Sequence, residues 1–324
     1  MRHTGFWLGV LAVAALLGVV APYTIANEYY FFAGYVVLQF VVLATAWNIL
    51  GGYTGYVNFG SAAFFAVGAY STVALINAFD PPMIVLILAG ALASGLIGLA
   101  TGYLTLRLRG VYFAIATLAL AIVLETVIAN WDYVGGAGGA FVLRPKESPV
   151  FDKYIQYLFV VMLGLAIVAV AIARTIEVSR LGRGLAAIRD DEEAAAGAGV
   201  PTLRLKLLAT TISGALMGAA GAPYPYYVTY VDPASAFNLS YAVNAVAMPM
   251  IGGTFTWLGP VVGALLLGTL QQVATVTISV GDSMRGPVSD WPLTRSTVTV
   301  ETEAISSPVA DNSPCPIAAC ASPR

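Results

Sequence analysis

Histidine, cysteine and nucleotide-binding sequences are scarce or absent in this chain of 324 residues. His3 is the only histidine, and both cysteines, Cys315 and Cys320, lie close to the C-terminus. Because imidazole and thiolate groups are the usual ligands of zinc, we expect no metal centre. The pattern G-x-x-x-x-G-K-[ST] does not occur, so no nucleotide is predicted to bind through a P-loop. No acid, base and nucleophile converge in the sequence, and we predict neither an enzyme nor a bound cofactor.

Charged side chains are also scarce, at 10% of the residues, whereas 59% are hydrophobic and the mean hydropathy is +0.82. This composition is typical of a chain that is dissolved mainly in lipid. The net charge of −2 does not indicate a nucleic acid partner. We predict an all-α, polytopic membrane protein with about nine transmembrane or re-entrant helices. A crossing helix needs ~20 residues, and the apolar runs are Phe6–Ile25, Tyr29–Leu50, Val57–Phe79, Met83–Leu106, Val111–Asn130, Tyr154–Arg174, Lys206–Tyr230, Leu239–Ile251 (too short to span without its neighbours) and Trp257–Ser279.

The basic residues predict the orientation of these runs, because Lys and Arg favour the cytoplasmic side of a membrane. The first run follows Arg2 and His3, as in a signal peptide, but it is longer than a signal core. With a cytoplasmic N-terminus and one crossing per run, nine of the fifteen basic residues fall inside. We therefore predict that the N-terminus is cytoplasmic. The inside residues are Arg2, Arg107, Arg109, Arg174, Arg180, Arg183, Arg189, Arg204 and Lys206, whereas Arg144, Lys146 and Lys153 fall in an outside loop.

The stretch from about 175 to 205 concentrates charge between two long apolar runs. Asp190 is predicted to be a helix N-cap, with Glu193 completing a capping box. Residues 194–196 are all alanine and propagate the helix, and Gly199 suits its C-terminal cap. We predict a cytoplasmic helix of about two turns whose alanine-rich face lets another surface approach closely. The alternative is a solvated surface turn.

Glycines cluster at two places where helices are predicted to break, residues 51–60 and 252–260. Irregular backbone at membrane depth needs cover from protein or a watery cavity, so the breaks indicate a transport path. Glu125 is the one acidic residue well inside an apolar run, and it fits a path and the outer membrane interface equally well. Polar groups in the spans also serve to bond neighbouring helices. The candidate path residues are Asn48, Asn58, Glu125, Asn244 and Thr254.

Small residues recur at intervals of one helical turn in two further runs. Such spacing lets helix backbones approach closely, so we predict that these residues pack helices and do not contact cargo. The two series are Gly90, Ser94, Gly98 and Gly102, and Gly214, Gly218 and Ala222.

Four motifs follow one another along the chain: "NILGGYTGYVNFGSAAFFAVGAY" from Asn48, "LRGVYFAIATLALAIVLE" from Leu108, "GRGLAAIRDDEEAAAGAGV" from Gly182 and "IGGTFTWLGPVVGALLL" from Ile251. Together they resemble the LivM-like permease subunits of ATP-binding-cassette (ABC) importers for branched-chain amino acids, over the chain to about residue 275. The resemblance implies the importer permease fold and inward movement of hydrophobic amino acids by alternating access. Importers of urea and short amides share the resemblance. An ion-coupled secondary transporter is a further alternative, which would need a coupling site among intramembrane acids.

The third motif is similar to the coupling motif E-x-A-A-x-x-x-G of such importers, whose short helix binds a groove of the ATPase. The resemblance implies two ATPase subunits, a homologous permease and a periplasmic or lipid-anchored substrate-binding protein as partners. It also implies a multi-pass location in the lipid of a bacterial inner membrane. The coupling residues implied by the match are Glu192, Glu193, Ala194, Ala195 and Gly199.

Residues 280–324 differ in composition from the rest, being rich in Ser, Thr and Pro without a run able to span. The resemblance implies another membrane segment here. Either the tail is a natural disordered extension, or the reading frame was lost near residue 280 and the last helix was replaced. We favour the second alternative, because an odd number of crossings would leave the tail outside, on the side opposite to the C-terminus that the resemblance implies. We therefore predict a transmembrane domain over residues 1–279 and a separate tail.

Overall fold

The structure is a computed structural model that describes residues 28–79, 81–105, 108, 110–143 and 153–285, with side chains described to residue 277. Most of the described residues are helical, as predicted. The helices are α1 Glu28–Thr54, α2 Ser61–Phe79, α3 Met83–Thr105, α4 Val111–Ala129, α5 Tyr154–Val178, α6 Arg180–Asp190, α7 Glu192–Gly197, α8 Thr202–Gly221, α9 Tyr224–Val228, α10 Pro233–Ala236, α11 Leu239–Gly252 and α12 Leu258–Arg285.

Seven helical segments of the described chain are long and apolar enough to cross a membrane: α1 to α5, residues 202–228 (α8 with α9) and the first part of α12. The predicted count of about nine is therefore not confirmed. The run Phe6–Ile25 and the orientation of the N-terminus lie outside the described residues. The run Leu239–Ile251 is helical, but the 14 residues of α11 reach only about 21 Å at 1.5 Å per residue, short of the ~30 Å hydrocarbon core.

Helix α1 lies at the centre of the bundle. In its most apolar window 78% of the residues are buried, against 22% in α4, whose sides face outward. Tyr35, Leu43 and Leu50 of α1 are fully buried, and α1 packs against α5, α8 and α11. Helix α4 is consequently the element with most surface left for lipid or for another subunit.

The small residues of α3 and α8 pack the two helices against each other, which confirms their predicted role. The Ser94 hydroxyl donates to the carbonyl of Gly214 at 2.7 Å, across the helix contact. A Cβ at Gly218 would overlap the Ser94 side chain and the Gly90 carbonyl. The outer face of α3 carries Leu88, Leu92, Leu96 and Leu99, all exposed, so its larger side chains point away from the protein, as in membrane helices that pack through small residues.

The described residues also contain a pair of short strands, which the sequence did not predict. Strands β1, Ala140–Phe141, and β2, Tyr230–Val231, form an antiparallel pair in which Ala140 lies opposite Val231. The Tyr230 hydroxyl also donates to the carbonyl of Gly138 at 2.8 Å. The pair joins the loop after α4 to the segment before α10, and thereby fixes the loop that lies beside the end of α4.

The chain divides into two units, one ending at Gln272 and one beginning at Val273. Of the tail predicted from residue 280, the structure describes only residues 280–285, which complete α12. The remainder, including Cys315 and Cys320, lies outside the described residues. The choice between a natural extension and a lost reading frame therefore stays a prediction.

Candidate coupling and transport site

The charged loop between α5 and α8 contains two helices, of which the sequence predicted only the second. Leu185 and Ile188 bury one face of α6, and this helix extends to Asp190. The predicted N-cap at Asp190 is therefore wrong. Asp191 caps α7 instead, and its Oδ1 accepts from the backbone N–H groups of Glu193 at 2.9 Å and Ala194 at 3.0 Å. Glu193 is consequently the second residue of α7, whereas a capping box needs a glutamate at the third.

The C-terminal end of α7 agrees with the prediction. The helix ends at Gly197, and Gly199 has φ +85°, the left-handed conformation that glycine adopts most readily. The Val200 N–H donates to the carbonyl of Ala195 at 3.0 Å and closes the turn. Helix α7 is thus a short helix of six residues, capped at both ends, rather than an open loop.

The five coupling candidates divide between two faces of the loop. Glu193, Ala194 and Gly199 are exposed, whereas Ala195 is only 6% exposed and packs inside its own chain. The side chain of Glu192 is 17% exposed and also faces inward. The structure therefore brings three candidates together on the outer surface and turns two toward the helix bundle.

Glu192 belongs to a buried cluster with two residues that the sequence did not single out, Lys206 and Tyr56. Lys206 Nζ donates to Glu192 Oε1 at 2.6 Å and to the Tyr56 hydroxyl at 3.3 Å. The Tyr56 hydroxyl in turn donates to Glu192 Oε2, and Lys206 Nζ lies 4.7 Å from the centre of the Tyr56 ring. We call Glu192, Lys206 and Tyr56 the linker cluster. It joins α7 to the segment that follows α1.

Lys206 escapes sequence analysis because its partners lie far away along the chain. Its side chain is 3% exposed, although it was counted only as one of the basic residues on the cytoplasmic side. A buried charge needs a partner, so a lysine at the start of an apolar run and close to an acidic helix is the sequence signal that could have indicated such a pair.

The two predicted helix breaks are confirmed in position and lie near this loop. Helix α1 runs through Gly51 and Gly52, which corrects the start of the first break, and residues 55–60 are not helical. The second break covers only residues 253–257, because α11 runs to Gly252 and α12 begins at Leu258, so both ends of the predicted range 252–260 are helical. A Cβ at Gly52 would overlap both Asn48 Oδ1 and the Thr254 carbonyl, so the end of α1 contacts the second break directly.

A second carboxylate fastens the second break to α5. Glu177 Oε2 accepts from the backbone N–H of Trp257 at 2.8 Å and from the Tyr53 hydroxyl at 3.4 Å. The Arg174 guanidinium also lies 5.2 Å from the centre of the Trp257 ring. Both breaks are therefore tied to elements that flank α6 and α7.

Most of the candidate path residues bond within the chain. Asn48 is fully buried, and its Nδ2 reaches the Thr256 carbonyl at 3.4 Å. Asn58 is 2% exposed and accepts from the Gly60 N–H at 2.7 Å. Asn244 accepts from Gln271 at 2.9 Å across two helices. The structure places Thr254 beside Asn48 and does not bring all five candidates into one cavity.

Glu125 is the candidate that lines a groove. The groove has a volume of about 430 Å³, within the ~300–1,000 Å³ typical of small-molecule sites. Among the described residues, the Glu125 carboxylate has neither a hydrogen bond nor an ion pair. The other walls of the groove are mainly apolar. They come from the first break, the start of α2, α4 and the segment around α10: Phe59, Ala62, Leu118, Ala121, Ile122, Ala234, Phe237, Asn238 and Leu239.

A second groove of about 470 Å³ lies toward the start of α4. It is lined by Gly55, Tyr56, Val57, Phe59, Gly110, Val111 and Ala114. We call it the lower groove, and the groove at Glu125 the upper groove. Phe59 is the residue that lines both.

Comparison with known proteins decides the family. A family described as the permease component of the branched-chain amino acid transport system matches residues 29–295. The chain belongs to this family. No solved structure gives a significant match.

Three relatives of this permease illustrate the range of the family. The high-affinity branched-chain amino acid transport permease proteins LivM of Escherichia coli and Salmonella typhimurium are 26% and 25% identical, each over 72% of this chain and 61% of their own length. The L-arabinose ABC transporter permease protein AraH of Azospirillum brasilense is 24% identical over 59% of this chain and 56% of its own length. The chain thus spans about three-fifths of the length of the curated relatives LivM that it matches.

Proposed function

We propose that the chain is the membrane-spanning permease subunit of an ATP-driven importer for branched-chain, hydrophobic amino acids. It works with a homologous permease, two ATPase subunits and a periplasmic or lipid-anchored substrate-binding protein in a bacterial inner membrane, with its N-terminus in the cytoplasm. The observation that carries the proposal is the capped helix α7, which projects a small-residue surface beside both helix breaks. Membership of the permease family supports it.

The outer surface of α7 is the proposed contact with the ATPase. Glu193 and Ala194 are exposed there, and Gly199 ends the projection without a side chain. Alanine and glycine allow a partner's backbone to approach closely, and a carboxylate at a helix N-terminus can accept hydrogen bonds from a basic groove. Glu192 and Ala195 face the bundle, so their part in coupling is to hold α7 to its own chain.

The upper groove supports an amino acid as the cargo. Glu125 offers a carboxylate to an ammonium group, and the apolar walls suit a branched aliphatic side chain. A sugar or urea can donate hydrogen bonds to this carboxylate but has no ammonium group to balance its charge. The relatives AraH and the autoinducer 2 import permease LsrC of Enterobacter are named for L-arabinose and autoinducer 2. The alternative is therefore a cargo of another class, such as a sugar, urea or a short amide.

Competition for uptake tests the cargo. Proteoliposomes that contain the complete complex and its binding protein are loaded with ATP, and uptake of radiolabelled leucine is measured against excess isoleucine, L-arabinose or urea. We expect isoleucine to compete and the two neutral compounds to have no effect. Inhibition by L-arabinose or urea, with none by isoleucine, would reject the amino acid assignment.

A further inference from the structure

The two grooves lie on one face of α4 and follow each other along the helix. The lower groove contacts Val111 and Ala114, and the upper groove contacts Leu118, Ile122 and Glu125. These positions are spaced by three or four residues, which places them in one row on a helix. The row covers 14 residue steps, or about 21 Å at 1.5 Å per residue. The grooves therefore follow each other along this side of α4, which we call the track, and Phe59 lines both of them.

The backbone around Phe59 is fastened to the helices on both sides. The Phe59 N–H donates to Thr117 Oγ1 of α4 at 3.2 Å. One residue earlier, the Asn58 carbonyl accepts from Trp47 Nε1 of α1 at 2.8 Å. The first break is thus bonded to α1 on one side and to α4 on the other, which fixes the backbone at Phe59.

Three residues before Phe59 stands Tyr56, the member of the linker cluster in this segment. Tyr56 contacts Glu192 of α7 and Lys206 of α8, and its ring packs edge-on against Phe113 of α4 with centroids 5.2 Å apart. Any displacement of α7 moves the Glu192 carboxylate. Because Lys206 is buried, separating it from that carboxylate is unfavourable. Tyr56 bonds to both groups, so we expect it to follow α7.

We propose that Phe59 is the gate between the two grooves and that the linker cluster positions this gate according to the position of α7. The proposal rests on the proposed function, since it takes the α4 face as the route of the cargo. When the ATPase displaces α7, the cluster shifts residues 56–59, and the Phe59 ring opens or closes the connection between the grooves. Lys206 and Glu192 act as positioning residues away from the cargo, whereas Tyr56 also lines the lower groove.

A leak measurement tests the gate. The complete complex with Phe59→Ala is reconstituted in vesicles preloaded with radiolabelled leucine, and efflux is followed without ATP. We expect efflux to rise about tenfold or more over wild type, the change that ~1.4 kcal/mol of lost barrier produces. Phe79→Ala is the matched control, because Phe79 is a phenylalanine at the end of α2 that is 82% exposed and lines neither groove.

The outcomes separate the gate from the proposed function. If wild-type vesicles take up leucine with ATP and the Phe59→Ala variant does not leak, the gate is rejected and the proposed function stands. If the wild-type complex moves no leucine with ATP, the proposed function fails together with the gate. An equal leak in the Phe79→Ala control would also reject the assignment to Phe59.

The linker cluster is tested by the accessibility of the track. A cysteine at Val57, which is 40% exposed in the lower groove, is labelled with a water-soluble thiol reagent in a background with both native cysteines replaced by serine. We expect labelling to change between nucleotide-free and ATP-bound complexes, and this change to be lost with Lys206→Met. Lys206→Arg should restore part of it, because the charge returns.

A milder variant guards against a folding defect. Tyr56→Phe removes one hydroxyl and leaves the Lys206–Glu192 pair in place, and we expect it to lower the leucine transported per ATP hydrolysed while the ATPase still co-purifies. Lys153→Met, at an exposed ion pair with Glu28, is the control and should keep the labelling change. If both Lys206→Met and Tyr56→Phe keep the labelling change and the wild-type leucine-to-ATP ratio, the linker cluster has no positioning role.

Discussion

Two ion pairs of similar length allow the effect of burial on the linker cluster to be measured directly. Lys206–Glu192 has an N–O distance of 2.6 Å with side chains 3% and 17% exposed, whereas Lys153–Glu28 has a distance of 2.8 Å with side chains 47% and 54% exposed. Removing one partner of a buried pair costs ~3–5 kcal/mol, because a charge stays buried without compensation. An exposed pair contributes only ~0–1 kcal/mol.

We therefore predict that Lys206→Met destabilises the protein by about 2–4 kcal/mol, somewhat less than a fully enclosed pair because Glu192 keeps some contact with solvent and its bond from Tyr56. Lys153→Met should cost less than about 1 kcal/mol. The double variant Glu192→Gln, Lys206→Met should recover most of the loss, since it leaves no buried charge.

The assay is unfolding of the purified protein in detergent, followed by circular dichroism over a denaturant series, for the four members of each double-mutant cycle. The predicted coupling energy is clearly larger for the Lys206 cycle than for the Lys153 cycle. Equal coupling energies in the two cycles, or a double variant of Glu192 and Lys206 as unstable as Lys206→Met alone, would refute the reasoning.

Three further predictions follow from other contacts. Gly218→Val should destabilise the α3–α8 contact by ~1–3 kcal/mol through overpacking, measured by unfolding in detergent. The control is Gly164→Val, at an exposed site where a Cβ meets no atom within 4 Å, and equal stability of the two variants would contradict the prediction. Ala194→Trp should abolish co-purification of the ATPase and leave the unfolding midpoint unchanged, whereas the buried Ala195→Trp should lower that midpoint; the reverse pattern would contradict the assigned faces. Glu125→Gln should reduce ATP-driven leucine uptake with the ATPase still bound, and unchanged uptake would remove Glu125 from the path.

The helices were predictable because apolar runs of the length of a membrane leave few alternatives to helix. The small residues of α3 and α8 likewise carried a packing signal in their spacing alone. The position of the cap was missed by one residue, because α6 was not recognised as a helix and its end displaces the start of α7. The spacing of Leu181, Leu185 and Ile188 could have indicated α6, since these residues lie on one helical face.

The site was predictable only in part, because its contacts join distant parts of the chain. Glu192 and Lys206 are 14 residues apart, and Tyr56 and Glu192 are 136 apart. No local pattern places Ala195 inward and Ala194 outward, since both stand in one short alanine run. Phe59 carries no sequence signal of its own, and its position between two grooves appears only when α4 and the first break are packed together.

The energy source of uptake is the most direct test of the account. Proteoliposomes with the complete complex are assayed for leucine uptake with and without ATP on the side of the membrane that carries the ATPase. Each condition is repeated with an ionophore that collapses ion gradients. The account predicts uptake that requires ATP, is indifferent to the ionophore and is lost with the Ala194→Trp variant. Uptake that continues without ATP and stops with the ionophore would contradict it and identify an ion-coupled transporter instead.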